Sequence, residues 1–189
     1  MTALLDLPEV RDRIHRVSVS EYHRLGELGL ISEKVELLRG IIVDKMSKSP
    51  LHEYISQKLL KLLHRLVPPQ FDVRQERPLT LNDSEPEPDI AIVAGAPEDW
   101  VHSHPKTAAL VIEISISSFL LDRSKADIYA EASIPEFWLV RADKRLVEVY
   151  LQPSIKGYLS KLTFTEADTL TSATIPEATL RLSEIFPAK

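Results

Sequence analysis

Leu51, Ile55, Leu59, Leu62, Leu63 and Leu66 recur at helical spacing, which predicts an amphipathic helix stopped by Pro68-Pro69. Ahead of it, two apolar runs, Val35–Leu38 and Ile41–Val43, flank Arg39-Gly40 and read as a hairpin. Ser18-Val19-Ser20-Glu21 has the pattern of a helix start with a capping hydroxyl, for a short helix ending near Gly29. Residues 1–17 read as a loosely attached arm, and residues 18–189 as a single domain. Phe71 to Leu81 reads as one or two extended segments. Ile90–Val93 reads as a strand, and Ala94 to Lys106 as a loop. Ala108 to Ile116 is a continuous apolar run of the kind buried on both faces of a sheet. A second helix over residues 121–133 follows, then strands at Glu136–Val140, Val147–Leu151 and Tyr158–Phe164, and a helical turn near Ser183–Phe186. This order predicts an α/β domain with a mixed sheet between helices.

The 189 residues suffice for one core, with 44% hydrophobic and 27% charged residues. The absence of cysteine removes zinc ribbons, iron–sulfur clusters, thiol nucleophiles and disulfide scaffolds together. The five glycines form no phosphate-cradling loop, so nucleotide-binding folds of that type have no support. A net charge of −5 excludes a nonspecific nucleic-acid coat, so contact with a phosphate backbone needs a local basic strip or a bound cation. No apolar run approaches the ~18 residues of a membrane span. Met1 to Arg16 carries charges throughout and lacks a signal-peptide core, so a cytoplasmic protein is expected.

Three residues break the patterns around them. Glu113 interrupts the apolar run Ala108–Ile114. It either caps an exposed strand end or is buried, where an unpartnered carboxylate costs roughly several kcal/mol and demands a metal, a lysine or an arginine. Asp89 follows Pro88 directly, within the rigid acidic run Glu85-Pro86-Glu87-Pro88, and is held at the strand entrance or marks an ordinary turn. Lys125 lies in the apolar stripe of its helix with Leu121, Ile128 and Tyr129, as does Asp122; it either faces the sheet or reaches past the stripe to water. Together, two carboxylates on neighbouring strands and an inward lysine make a site for a hard cation such as Mg²⁺, with an ammonium beside it. Such a site suits in-line attack of a metal-activated water on phosphorus.

Pro88-Asp89 followed by Glu113-Ile114-Ser115 resembles the PD-(D/E)XK motif of restriction-endonuclease-like nucleases. The third position of the E-x-K element is Ser115 rather than lysine, and Lys125 on the following helix supplies the displaced ammonium in this comparison. More narrowly, the chain resembles the bacterial family called domain of unknown function 820, abundant in cyanobacteria and grouped with restriction endonucleases. The matching stretches include Glu36–Gly40, His52, Glu85–Ala91, Val111–Ser115, Asp122–Lys125, Tyr129, Ile134–Trp138 and Val147–Tyr150, spread over about residues 18–186. Departures occur at Ser115–Ser118, where a Ser-Pro-Ser-Thr type run is usual, at Ser133 in place of glycine, and at Arg141 in place of aspartate. The resemblance implies a restriction-endonuclease-like mixed sheet flanked by helices and a Mg²⁺- or Mn²⁺-dependent endonuclease. Asp89, Glu113 and the Ile114 carbonyl are then the metal ligands.

Further candidates carry two readings each. Glu36 is a third acid of the site or an exposed strand residue. His52 orients a carboxylate or contacts phosphate, or is a plain helix-start residue. Asp122 holds Lys125 or favours the helix dipole. Ser115 supports the site. Lys58, Lys61 and Arg65, with Lys45 and Lys48 before them, form a basic strip for a DNA backbone or a solvated helix face. Trp100 and Trp138 read as packing residues. The expected partner is nucleic acid, DNA in the leading reading, with a homodimer to cut both strands. The other class is a catalytically idle nucleic-acid-binding or protein-interaction module on the same fold.

Overall fold

A computed structural model describes residues 7–116 and 119–188. Ser117 and Ser118, part of the departing serine run, lie outside the described residues. A short helix α1 (Pro8–Arg11) precedes α2 (Val19–Glu27). Ser18 and Glu21 exchange both bonds of a capping box at the start of α2, so the predicted helix start is real. The arm is also tied down at its end, because Val17 N–H donates to the Gly40 carbonyl.

The hairpin of β1 (Val35–Leu38) and β2 (Ile41–Asp44) turns through Arg39 and Gly40, both with positive φ. A two-residue loop of this kind matches the twist of the strands. Gly40 is required there, since a Cβ would lie 2.6 Å from the Arg16 Cβ. Helix α3 (Pro50–Leu66) starts on the Ser49 hydroxyl with Pro50 in its first turn, and ends just before Pro68.

Six strands form the main sheet in the order β3 (Phe71–Gln75), β4 (Ile90–Ala94), β5 (Leu110–Ser115), β6 (Glu136–Arg141), β7 (Leu146–Ser154), β8 (Gly157–Thr165). Only β5 and β6 run parallel, and helix α4 (Phe119–Glu131) is the crossover between them. Helix α3 covers one face, with Ile55, Leu59 and Leu63 against Ile90, Ile112 and Trp138. Helix α4 covers the other, with Ala126, Ile128 and Tyr129 against Val93, Val111 and Phe137. The apolar run of β5 is therefore buried on both faces, as its composition requires.

The chain end differs from the sequence expectation. Besides the helical turn (Leu182–Glu184), a small hairpin of β9 (Thr169–Thr171) and β10 (Thr179–Arg181) packs Leu170, Ile175 and Leu180 into the α3-side core. Strands of three residues are too short to leave a readable alternation. The buried Glu136 anchors this hairpin, accepting from Ser172 Oγ at 2.6 Å, the Ala173 and Thr174 N–H groups, and Trp138 Nε1 at 2.7 Å. Trp138 is thus a core residue, as expected.

Candidate functional site

Strand β4 enters the sheet beside β5 in antiparallel register, with Ile90 opposite Ile112. One position further, Asp89 falls opposite Glu113. Both carboxylates line a single cavity of about 440 Å³ between the β1–β2 hairpin, the start of α3 and the start of α4. Glu113 is 3% exposed, so it is not an exposed strand cap.

Every contact of these acids is specific. Glu113 Oε1 accepts from Tyr129 Oη at 2.8 Å and from Lys125 Nζ at 3.3 Å. Lys125 Nζ also stands 2.9 Å from Glu36 Oε1, while Glu36 Oε2 accepts from the Glu87 N–H. Asp89 Oδ2 accepts from the Ile114 N–H at 2.7 Å and lies 3.0 Å from His52 Nε2; Asp89 Oδ1 lies 3.1 Å from Lys48 Nζ. Lys48 in turn stands 2.9 Å from Glu76 Oε1. Among the described residues, the other ring nitrogen of His52, the buried Nδ1, has no hydrogen-bond partner.

The local folding explains the convergence. The hairpin is pinned to the Pro-rich segment by paired backbone bonds between Leu37 and Glu85, which brings Glu36 beside Glu87. The helical stripe of α4 turns Lys125 and Tyr129, one turn apart, onto the same carboxylate. Proline at 88 and the Glu76 N–H bonded to the Asp89 carbonyl fix the backbone of Asp89.

The electrostatics separate the two carboxylates. Burial opposes the Asp89 charge, but His52, Lys48 and the Ile114 N–H outweigh it, and its pKa is lowered. For Glu113, burial is the dominant cause. Lys125 opposes it while Asp89, Asp122 and Glu36 reinforce it, and the pKa is pushed up to about 8. Burial also works against the Lys125 ammonium, yet Glu113 and Glu36 more than compensate and raise its pKa.

Six carboxylic side chains and four lysines line the cavity, leaving an acidic excess. This donor set fits a hard divalent cation. Asp89 and Glu113 stand on adjacent strands, and Lys125 offsets the burial of Glu113 only in part. Among the described residues, no three His, Cys, Asp or Glu side chains converge at metal-ligand spacing. Two protein carboxylates with the remaining positions left to water and phosphate is the usual arrangement for Mg²⁺.

Of the residues singled out in the sequence, Asp89, Glu113, Ile114, Lys125, Glu36, His52 and Asp122 line this cavity. Ser115 is buried beside it, and among the described residues its Oγ has no hydrogen-bond partner. Lys58, Lys61 and Arg65 are not in it: Lys58 and Lys61 line a separate cavity with Tyr54 and Arg145, and Arg65 is exposed. Their α3 face points away because the opposite face is the one packed on the sheet. Lys45 and Lys48, expected only as the start of a basic strip, line the cavity instead, and Glu76 and Tyr129 carry no site role in the sequence. Tyr129 had a signal, its helical spacing from Lys125. Lys48 and Glu76 sit on irregular backbone, Glu76 with a φ of 49°, where no periodicity points to a cavity.

The sheet order and the two flanking helices match the restriction-endonuclease-like fold. A solved structure described as "a putative nuclease belonging to DUF820" from Anabaena variabilis ATCC 29413 superposes with a TM-score of 0.71 and 18% identity, covering 86% of this chain and 96% of that one. Residues 19–183 match the family model Uma2, described as "Putative restriction endonuclease". The chain belongs to the Uma2 family. No protein among curated ones matches it. Among the described residues, no helix is long and apolar enough to cross a membrane.

Proposed function

We propose that this protein is a Mg²⁺- or Mn²⁺-dependent endonuclease that hydrolyses phosphodiester bonds of DNA. The observation that carries this reading is the buried Glu113, set opposite Asp89 and bridged by Lys125 to Glu36. Asp89, Glu113 and the Ile114 carbonyl would hold the cation. When bound, the cation lowers the pKa of a water and offsets charge on the phosphate. Lys125 holds a permanent ammonium next to Glu113, where it orients the attacking water and stabilises negative charge developing on the phosphoryl oxygens. Glu36 and Tyr129 fix the lysine and the carboxylate in place. His52 and the Ile114 N–H hold Asp89 ionised and pointed. The family description supports nucleic acid as substrate. Cleavage of both strands of a duplex needs two such sites, which a homodimer in the cytoplasm would supply.

Supercoiled plasmid incubated with Mn²⁺ tests this reading, with Glu113→Ala and Lys125→Ala prepared identically. Nicking by the wild type alone is expected. Equal nicking by all three would place the activity elsewhere. No nicking by any would count against the DNA-endonuclease reading and leave RNA, a special DNA structure or the idle module.

A further inference from the structure

Asp89 divides its two carboxylate oxygens between a fixed set of donors and a loose one. Oδ2 is gripped by the Ile114 N–H on β5 and by His52 on α3, both in elements packed on the core. Oδ1 faces Lys48, which belongs to the irregular segment between β2 and α3 and is 33% exposed on its side chain. Lys125, by contrast, is sealed in by Glu36 and Glu113 at 6% side-chain exposure and has nowhere to go. The oxygen through which Asp89 would take a cation is therefore the one already covered by an ammonium on a loop.

We propose that Lys48 is a placeholder for the divalent cation. In the free protein its ammonium neutralises Asp89 Oδ1. When a divalent cation takes that oxygen, Lys48 is released to contact a phosphate of the nucleic acid at the cavity mouth. This rests on the nuclease reading above, because it takes Asp89 as a cation ligand. A doubly charged ion competes for one carboxylate oxygen more strongly than a single charge on a flexible stem, and the two cations repel each other. Glu76, 2.9 Å from Lys48 Nζ, keeps the freed side chain at the rim. A lysine is suited to the second task, as a point charge that binds phosphate without a fixed approach geometry. The exchange also couples substrate binding to the cation. Before it, the acidic lining repels a polyanion; after it, the lining is closer to neutral and presents an ammonium no longer committed to Asp89.

The test is Mn²⁺ binding by calorimetry to the wild type, Lys48→Met and Asp89→Asn, without nucleic acid. Anisotropy of a labelled duplex oligonucleotide with Ca²⁺ in place of Mn²⁺ accompanies it. The proposal expects Lys48→Met to bind Mn²⁺ about 5-fold more tightly than wild type, the scale of one part-exposed ion pair removed from competition, and to bind the duplex more weakly. Unchanged or weaker Mn²⁺ affinity in Lys48→Met, with binding lost in Asp89→Asn, would overturn the placeholder role and leave the nuclease reading standing. Equal Mn²⁺ binding by wild type and Asp89→Asn would overturn the nuclease reading itself. Lys48→Gln gives the same readout should Lys48→Met fail to fold.

Discussion

Lys125 Nζ lies 2.9 Å from Glu36 Oε1, joining helix α4 to the N-terminal hairpin inside the cavity. Both side chains are nearly sealed from water, so the contact differs in kind from a surface ion pair. Removing the lysine leaves Glu36 and Glu113 buried without their cation. Lys125→Met is expected to lose about 3–5 kcal/mol of stability, measured by urea unfolding, together with all nicking activity. Glu36→Gln keeps an acceptor for the ammonium and is expected to cost far less stability while still reducing activity. Equal stability losses for the two variants would show that Glu36 and Lys125 are not coupled in this way.

The raised pKa of Glu113 has a definite sign. Between its ordinary value of 4.5 and about 8, the folded protein binds a proton that the unfolded chain has released. The contribution of Glu113 to stability therefore falls as pH rises through that window. In metal-free buffer, the melting temperature of wild type relative to Glu113→Gln should drop from pH 5 to pH 8.5. Added Mn²⁺ should restore it at the upper end, because a ligand of the native state raises the transition. Parallel melting profiles for the two proteins would contradict the burial argument.

Glu136 is a structural carboxylate and should behave unlike Glu113. It takes hydrogen bonds from Trp138, Ser172 and Thr174 and from two backbone N–H groups, on the face opposite α4. Glu136→Ala strands these donors and is expected to destabilise by about 3 kcal/mol or more. Mn²⁺ affinity at temperatures where the variant is folded should stay unchanged. A loss of cation binding in the folded variant would mean that the C-terminal hairpin supports the site.

Ser133 ends the turn after α4 with a φ of 58°, in the left-handed region. Glycine is the residue that adopts this conformation at least cost. Ser133→Gly is expected to raise stability by about 0.5–1 kcal/mol, read as a higher denaturation midpoint with unchanged slope.

Much of the fold was legible because long amphipathic elements announce themselves. The leucine spacing of α3 and the apolar run around Glu113 in β5 each had one physical reading, and both hold in the structure. The residues drawn into the cavity were legible where they broke such a pattern: Glu113 inside β5, and Lys125 inside the stripe of α4. The basic strip of α3 had two readings, and the structure sets it apart from the cavity, because amphipathicity says which face is wet but not what lies across from it. Lys48 and Glu76 break no pattern, since loops have none to break. The β9–β10 hairpin was hidden for the same reason, its burial depending on a carboxylate far back in the chain.

The most direct measurement is an anomalous difference map from crystals grown with Mn²⁺. The account predicts a peak in contact with Asp89 Oδ1 and the Glu113 carboxylate, with the Lys48 ammonium moved off Asp89. A map with no peak between those carboxylates at saturating Mn²⁺, with Lys48 still on Asp89, would contradict the central claim that this cavity is a cation site.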